Sequence, residues 1–100
     1  MAEIVDVDAL AATPHAEVFD TPRTIRLRLE AGESIAPHSH PGLSVVAYVI
    51  DGHVSLTLDD AVHPLEAGHA AHFSGERRIT PTAETDATVL LVFVPTDSTG

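Results

Sequence analysis

The residues best suited to chemistry in this chain are His38 and His40. They stand one residue apart in Gly32-Glu33-Ser34-Ile35-Ala36-Pro37-His38-Ser39-His40. Side chains on an extended segment alternate between faces, so a histidine pair at i and i+2 presents two imidazoles side by side. That is two of the ligands a divalent metal on a sheet requires, and a third must come from elsewhere in the chain. His72 is the candidate, on the strand before Ser74-Gly75-Glu76. If Phe73 fills the core, parity sends His72 to the other face, unless a bulge reverses it. Two imidazoles with His72 or water would suit zinc, nickel, copper or iron better than calcium. The remaining histidines read as surface residues. His15 lies in the N-terminal segment, His53 shares an outward face with Ser55 and Thr57, His63 precedes a proline, and His69 adjoins a turn glycine.

Other chemistry is less well supported. No glycine-rich phosphate loop leads into a helix and no nucleophile elbow is present. Asp59-Asp60 has the character of a solvated turn rather than a glycosidase pair. Tyr48 could line a pocket with its hydroxyl at the rim. Arg77-Arg78 is a basic pair in an acidic chain. Because Ile79 should face the core, parity also directs Arg77 inward, where it could bind a carboxylate or phosphate.

These residues must be positioned by strands. Thr24 to Leu29 alternates strictly, with Ile25, Leu27 and Leu29 inward and Arg26 and Arg28 outward. Leu43 to Ile50 is continuously apolar and predicts a strand that is buried on both faces or central in its sheet. Asp51-Gly52 is a two-residue hairpin signal. His53 to Leu58 alternates again, Asp59-Asp60 turns, Ala61 to Leu65 returns, and Glu66-Ala67-Gly68 turns once more. Ala70 to Phe73, Arg77 to Thr80 and Thr88 to Val94 complete the set. Only Val7 to Ala12 could form a helical turn or two. Roughly nine or ten short strands with closely spaced turns predict an all-β antiparallel sandwich or barrel. One domain fills residues 1–100, with a core over about 20–95 and loosely held ends at Met1–Pro14 and Thr96–Gly100.

Composition narrows the partners. The chain has 15 Asp and Glu against five cations, all arginine, a formal net charge of −10, and no cysteine. Nucleic acid and anionic membranes require clustered cations and are excluded as expected partners. Disulfides and thiolate metal sites are ruled out. A lysine-free, acidic chain rich in Ala, Thr and Val resembles proteins adapted to high salt, where screening removes self-repulsion. The acidic N-terminus has no signal-peptide character and no apolar run could span a bilayer, so a cytoplasmic protein is expected.

Gly32, five residues, His38-Ser39-His40 and eleven residues to Gly52 resemble the first motif of the cupin superfamily. Tyr48-Val49-Ile50-Asp51-Gly52-His53-Val54 is similar to its hairpin, and Pro64-Leu65-Glu66-Ala67-Gly68 to the opening of its second motif. The resemblance implies an antiparallel double-stranded β-helix (a jelly-roll barrel) and a homodimer. It also implies a divalent metal (Zn, Ni, Fe, Mn or Cu) held by two histidines, a glutamate and a third histidine. This chain departs from that set, because Val45 stands at the glutamate position and Arg77 near the third histidine. Three readings follow. The chain could be a His38/His40 metal-binding cupin with His72 in support. It could be a metal-free cupin taking a small anionic ligand through Arg77/Arg78 and the pocket histidines. It could be a non-catalytic dimeric sensor or scaffold.

Overall fold

The computed structural model describes residues 2–96. Eight strands form two antiparallel sheets: β1 (His15–Phe19), β2 (Arg23–Leu29), β3 (Leu43–Asp51), β4 (His53–Leu58), β5 (Ala61–Glu66), β6 (Ala70–Ser74), β7 (Ile79–Ala83) and β8 (Ala87–Pro95). A 3₁₀ turn, Val7–Ala9, precedes them. The larger sheet runs β1-β2-β8-β3-β6 and the smaller β5-β4-β7. The architecture is therefore the expected all-β, antiparallel double-stranded β-helix. Among the described residues no helix is long and apolar enough to cross a membrane.

Alternation decides what lies between the sheets. On β2, Ile25, Leu27 and Leu29 point inward; on β3, Val45, Ala47 and Val49; on β4, Val54, Leu56 and Leu58. With Phe73, Ile79, Val89 and Phe93 they make one continuous core. At about 25 cal/mol for each Å² of apolar surface removed from water, this layer is the main stabilising term. The prolines fit the pattern: Pro64 and Pro81 lie on β5 and β7, the outer strands of the smaller sheet, where a missing ladder donor costs least.

Three expectations need correction. Leu43–Ile50 is central, lying between β8 and β6, but it is not buried on both faces: Val46, Tyr48 and Ile50 are exposed while Val45, Ala47 and Val49 are buried. Nothing in the described chain covers the outside of this part of the sheet. Asp51-Gly52 is a turn, but it closes no hairpin. β3 pairs with β6 and β8, and β4 with β5 and β7, so the turn carries the chain from one sheet to the other. Gly52 has a φ of +83°, and a Cβ there would collide with the Asp86 carbonyl, which explains glycine at this crossing.

The N-terminal segment is also better anchored than expected. β1 begins at His15, and the preceding residues cross the outer face of β2. The fully buried Arg26 guanidinium donates there to the carbonyls of Val7 (2.6 Å), Leu10 (3.1 Å) and Ala12 (2.8 Å). Arg28 adds an exposed ion pair to Asp8 at 3.2 Å. At the other end Thr96 bonds to the Gly42 carbonyl, and residues 97–100 lie outside the described residues.

Candidate ligand pocket

His38 and His40 do not sit on a regular strand. Their segment is tied to β7 by isolated bridges, Ser34 to Thr82 and His38 to Ile79. His40 is fixed by its amide donating to the Gly75 carbonyl at 2.7 Å. The extended backbone keeps the expected parity. The two rings lie with centroids 4.9 Å apart and planes nearly perpendicular, and His40 packs against Phe93 at 4.8 Å.

Beneath them the space between the sheets narrows to a cavity of about 40 Å³ lined by Leu27, Val45, Ala47, Val49, Phe73 and Phe93, among other apolar side chains. That volume exceeds the ~10–15 Å³ one water requires. Above the rings it opens into a depression of about 340 Å³. The polar side chains at this mouth are His15, Arg23, His38 and His40, and among the described residues no carboxylate lines either space.

His15 and Arg23 are the members that sequence reasoning missed. His15 pairs with Leu27 across β1 and β2, so it shares Leu27's inward face. Arg23 continues the inward row of Ile25, Leu27 and Leu29. The signals were present: Ala16 and Val18 alternate with His15 and Glu17, and Arg23 has the parity of Ile25.

The predicted site residues other than the histidine pair lie elsewhere. His72 is opposite Val46 in an unbroken β3–β6 register, so parity holds, Phe73 takes the interior, and the His72 ring bonds to Ser44 on the outer face. Tyr48 is outward and 43% exposed. Arg77 precedes β7 instead of lying on it, so strand parity does not reach it; it pairs with Asp59 at 3.6 Å on the surface. The neighbouring Arg78 amide donates to the same carboxylate. Neither arginine lines the pocket.

Two of the imidazoles at the mouth, His40 and His15, are biased toward the neutral form. Burial, reinforced by His38, Arg23 and His15, holds His40 below the usual imidazole range. Burial and then His38 do the same to His15. Neutral rings near pH 7 offer a lone pair as well as a proton. His38 is oriented by its own backbone: Nδ1 lies 2.9 Å from the Ala36 carbonyl and can donate to it, which leaves Nε2 for a ligand.

Those donors meet only part of a resident metal's needs. The spacing of the two rings and the Nδ1 anchor are compatible with one ion between them. Yet Val45, 2% exposed and flanked by Phe73 and Phe93, occupies the expected carboxylate position. Among the described residues no three His, Asp or Glu side chains are grouped to hold an ion. A site closed by protein ligands alone is not built here.

Comparison with known proteins agrees with this architecture. The cupin domain family model matches residues 25–95. TT1209 from Thermus thermophilus is 26% identical, with a TM-score of 0.82 over 94% of this chain and 98% of its own. A double-stranded β-helix protein from Klebsiella pneumoniae is 20% identical, with a TM-score of 0.82 over 94% and 85%. KdgF from Halomonas sp. is 23% identical, with a TM-score of 0.73 over 85% and 80%. No curated protein matches. The match across the core strands, together with the two-sheet barrel and the histidine pair at its mouth, places this chain in the cupin domain family.

Proposed function

We propose that this protein binds a small organic molecule in the barrel, with the apolar part between the sheets and the polar part against His38 and His40. The observation that carries this reading is the contrast between an apolar interior and a mouth whose polar groups are three imidazoles and one guanidinium. His40 and His15, whose proton affinity burial lowers, can hydrogen-bond such a ligand and accept or return a proton from it. The reading is tested by methyl NMR. Butan-1-ol should shift the resonances of Ile35, Val49 and Leu91, and His38→Ala/His40→Ala should weaken that binding about tenfold. Unmoved pocket methyls would rule it out.

A second reading, a divalent ion on His38 and His40, is supported by the 4.9 Å ring spacing and the Nδ1 anchor. The ion's remaining positions would fall to water, and when bound it would act as a Lewis acid beside the ligand. Protein without a histidine tag is expected to bind Zn²⁺ weakly and to lose it in the same double variant. A tightly held stoichiometric ion would move this reading ahead of the first.

The protein is also proposed to work as a homodimer through the outer face of β8-β3-β6. Val46, Tyr48, Ile50 and Val94 are exposed there, and those strand positions carry no charge in a chain of net charge −10. A second copy is the partner that fits, because two such faces can meet without apposing carboxylates. Sedimentation should show dimers that strengthen with salt as the remaining charge is screened. Val46→Asp/Tyr48→Asp should give monomers that keep the pocket; unchanged dimers would rule out this face.

A further inference from the structure

The charges around the mouth narrow the class of ligand, an inference that rests on the pocket reading above. The chain carries 15 carboxylate side chains, yet among the described residues none lines the cavity or the depression over it. The polar lining is Arg23 and three imidazoles, groups that can donate hydrogen bonds and carry no negative charge. Arg23 is the one permanent cation among these lining residues. The other arginines with assigned partners are engaged away from the mouth: Arg26 with three backbone carbonyls, Arg28 with Asp8, and Arg77 with Asp59.

Arg23 has a carboxylate partner of its own. Glu17 lies on the same inward face of β1 as His15, and its Oε1 is 3.4 Å from Arg23 Nη1. Both side chains are 56% exposed. An ion pair this long and this wet contributes little, so it can be exchanged for another carboxylate at small cost. Arg23 also ends the inward row that runs through Ile25 and Leu27. A carboxylate held by its guanidinium therefore places a short chain over His40 and toward the apolar cavity.

We propose that the pocket selects a small monocarboxylate with a short apolar chain, with Arg23 as the carboxylate anchor and Glu17 as the internal carboxylate that the ligand displaces. The overall charge of −10 does not forbid this. Repulsion from distant carboxylates fades over about 8 Å at physiological ionic strength, while the Arg23 contact is direct. The guanidinium suits the role because its planar fork can meet both oxygens at once.

The test compares butyrate with butan-1-ol on the full chain by NMR titration. Butyrate is expected to bind about tenfold more tightly than the alcohol. Arg23→Gln should remove that advantage, bringing butyrate to the affinity of the alcohol. Glu17→Gln should tighten butyrate about threefold, by removing the competitor. Arg77→Gln should change neither. Equal binding of acid and alcohol to the wild type would overturn the inference while leaving the pocket reading intact. So would an Arg23→Gln variant that keeps the preference, or a Glu17→Gln variant that binds butyrate more weakly. Failure of both probes to shift pocket methyls would overturn the pocket reading and this inference with it.

Discussion

Gly75→Ala is expected to destabilise the protein by about 3 kcal/mol and to displace His40 from the mouth. Gly75 is buried in the turn after β6, and a Cβ there would strike the carbonyl oxygens of His40 and Leu43 and the His40 Cβ. Two backbone bonds depend on this approach: the His40 amide to the Gly75 carbonyl at 2.7 Å and the Gly75 amide to the Leu43 carbonyl at 2.8 Å. The clash is with backbone on both sides, so no rotamer change relieves it. The cost belongs at the upper end of the roughly 1–3 kcal/mol typical of overpacking. In a chain of this size that lowers Tm by roughly 10–20 °C. The same variant should lose pocket binding even where it is fully folded, because the loop it distorts carries His40. A Gly42→Ala control, at a φ of +80° with no atom near its Cβ, should cost about 1 kcal/mol and spare the pocket. Equal binding losses in the two variants would contradict the assignment of Gly75 as the residue that seats His40.

The two-sheet barrel was legible because its inward rows alternate. Ile25, Leu27 and Leu29, and Val54, Leu56 and Leu58, each announce a half-buried strand, and the structure buries those residues. Turn chemistry was less complete as a guide. Asp51-Gly52 marks a reversal, but nothing local says whether the next strand pairs with the last or crosses to the other sheet. That depends on β8, far along the chain, taking the place beside β3. The apolar run from Leu43 to Ile50 marks a strand that is central in its sheet, but it misled about burial of the second face for a related reason. A strand can be apolar on its second face because another element of its own chain covers it, or because a different molecule does. Sequence pattern does not separate the two. At the pocket, His38 and His40 are legible from spacing alone, whereas placing Arg77 inward extends strand parity into a turn, where it has no force. His15 was hidden because Pro14 and the acidic residues before it suggest a loose end. The anchoring of that end depends on a long-range contact from Arg26, a residue whose outward parity ordinarily means solvent.

Arg26→Ala is accordingly expected to cost about 3 kcal/mol and to release residues 2–14 from the sheet. The side chain is fully buried and donates to three carbonyls sixteen, fourteen and nineteen residues away from it in sequence, on Leu10, Ala12 and Val7. Bonds from a charged donor contribute about 1.5–3 kcal/mol each before the cost of burying the cation is counted. That cost is substantial, since among the described residues no carboxylate bonds to the guanidinium and its Nε has no partner. The net loss is therefore well below the sum. It includes the exposure of Ala16, Val18 and Thr24, buried on the same side of β1 and β2. Lysine cannot substitute, because one ammonium cannot serve three divergent carbonyls as a planar fork does. Arg26→Lys should thus recover less than half of the loss. Urea denaturation gives the magnitude, and faster amide exchange at Arg28, whose N–H bonds to the Pro14 carbonyl, reports the release. The decisive comparison is a double-mutant cycle with deletion of residues 1–12. If Arg26 acts by holding that segment, Arg26→Ala in the truncated chain should cost under ~1 kcal/mol, because the guanidinium there is already solvated. Full additivity of the two changes would show that Arg26 stabilises the sheet by some other contact. Butan-1-ol binding should survive Arg26→Ala under folding conditions, since the strap and the pocket lie on opposite faces of β2.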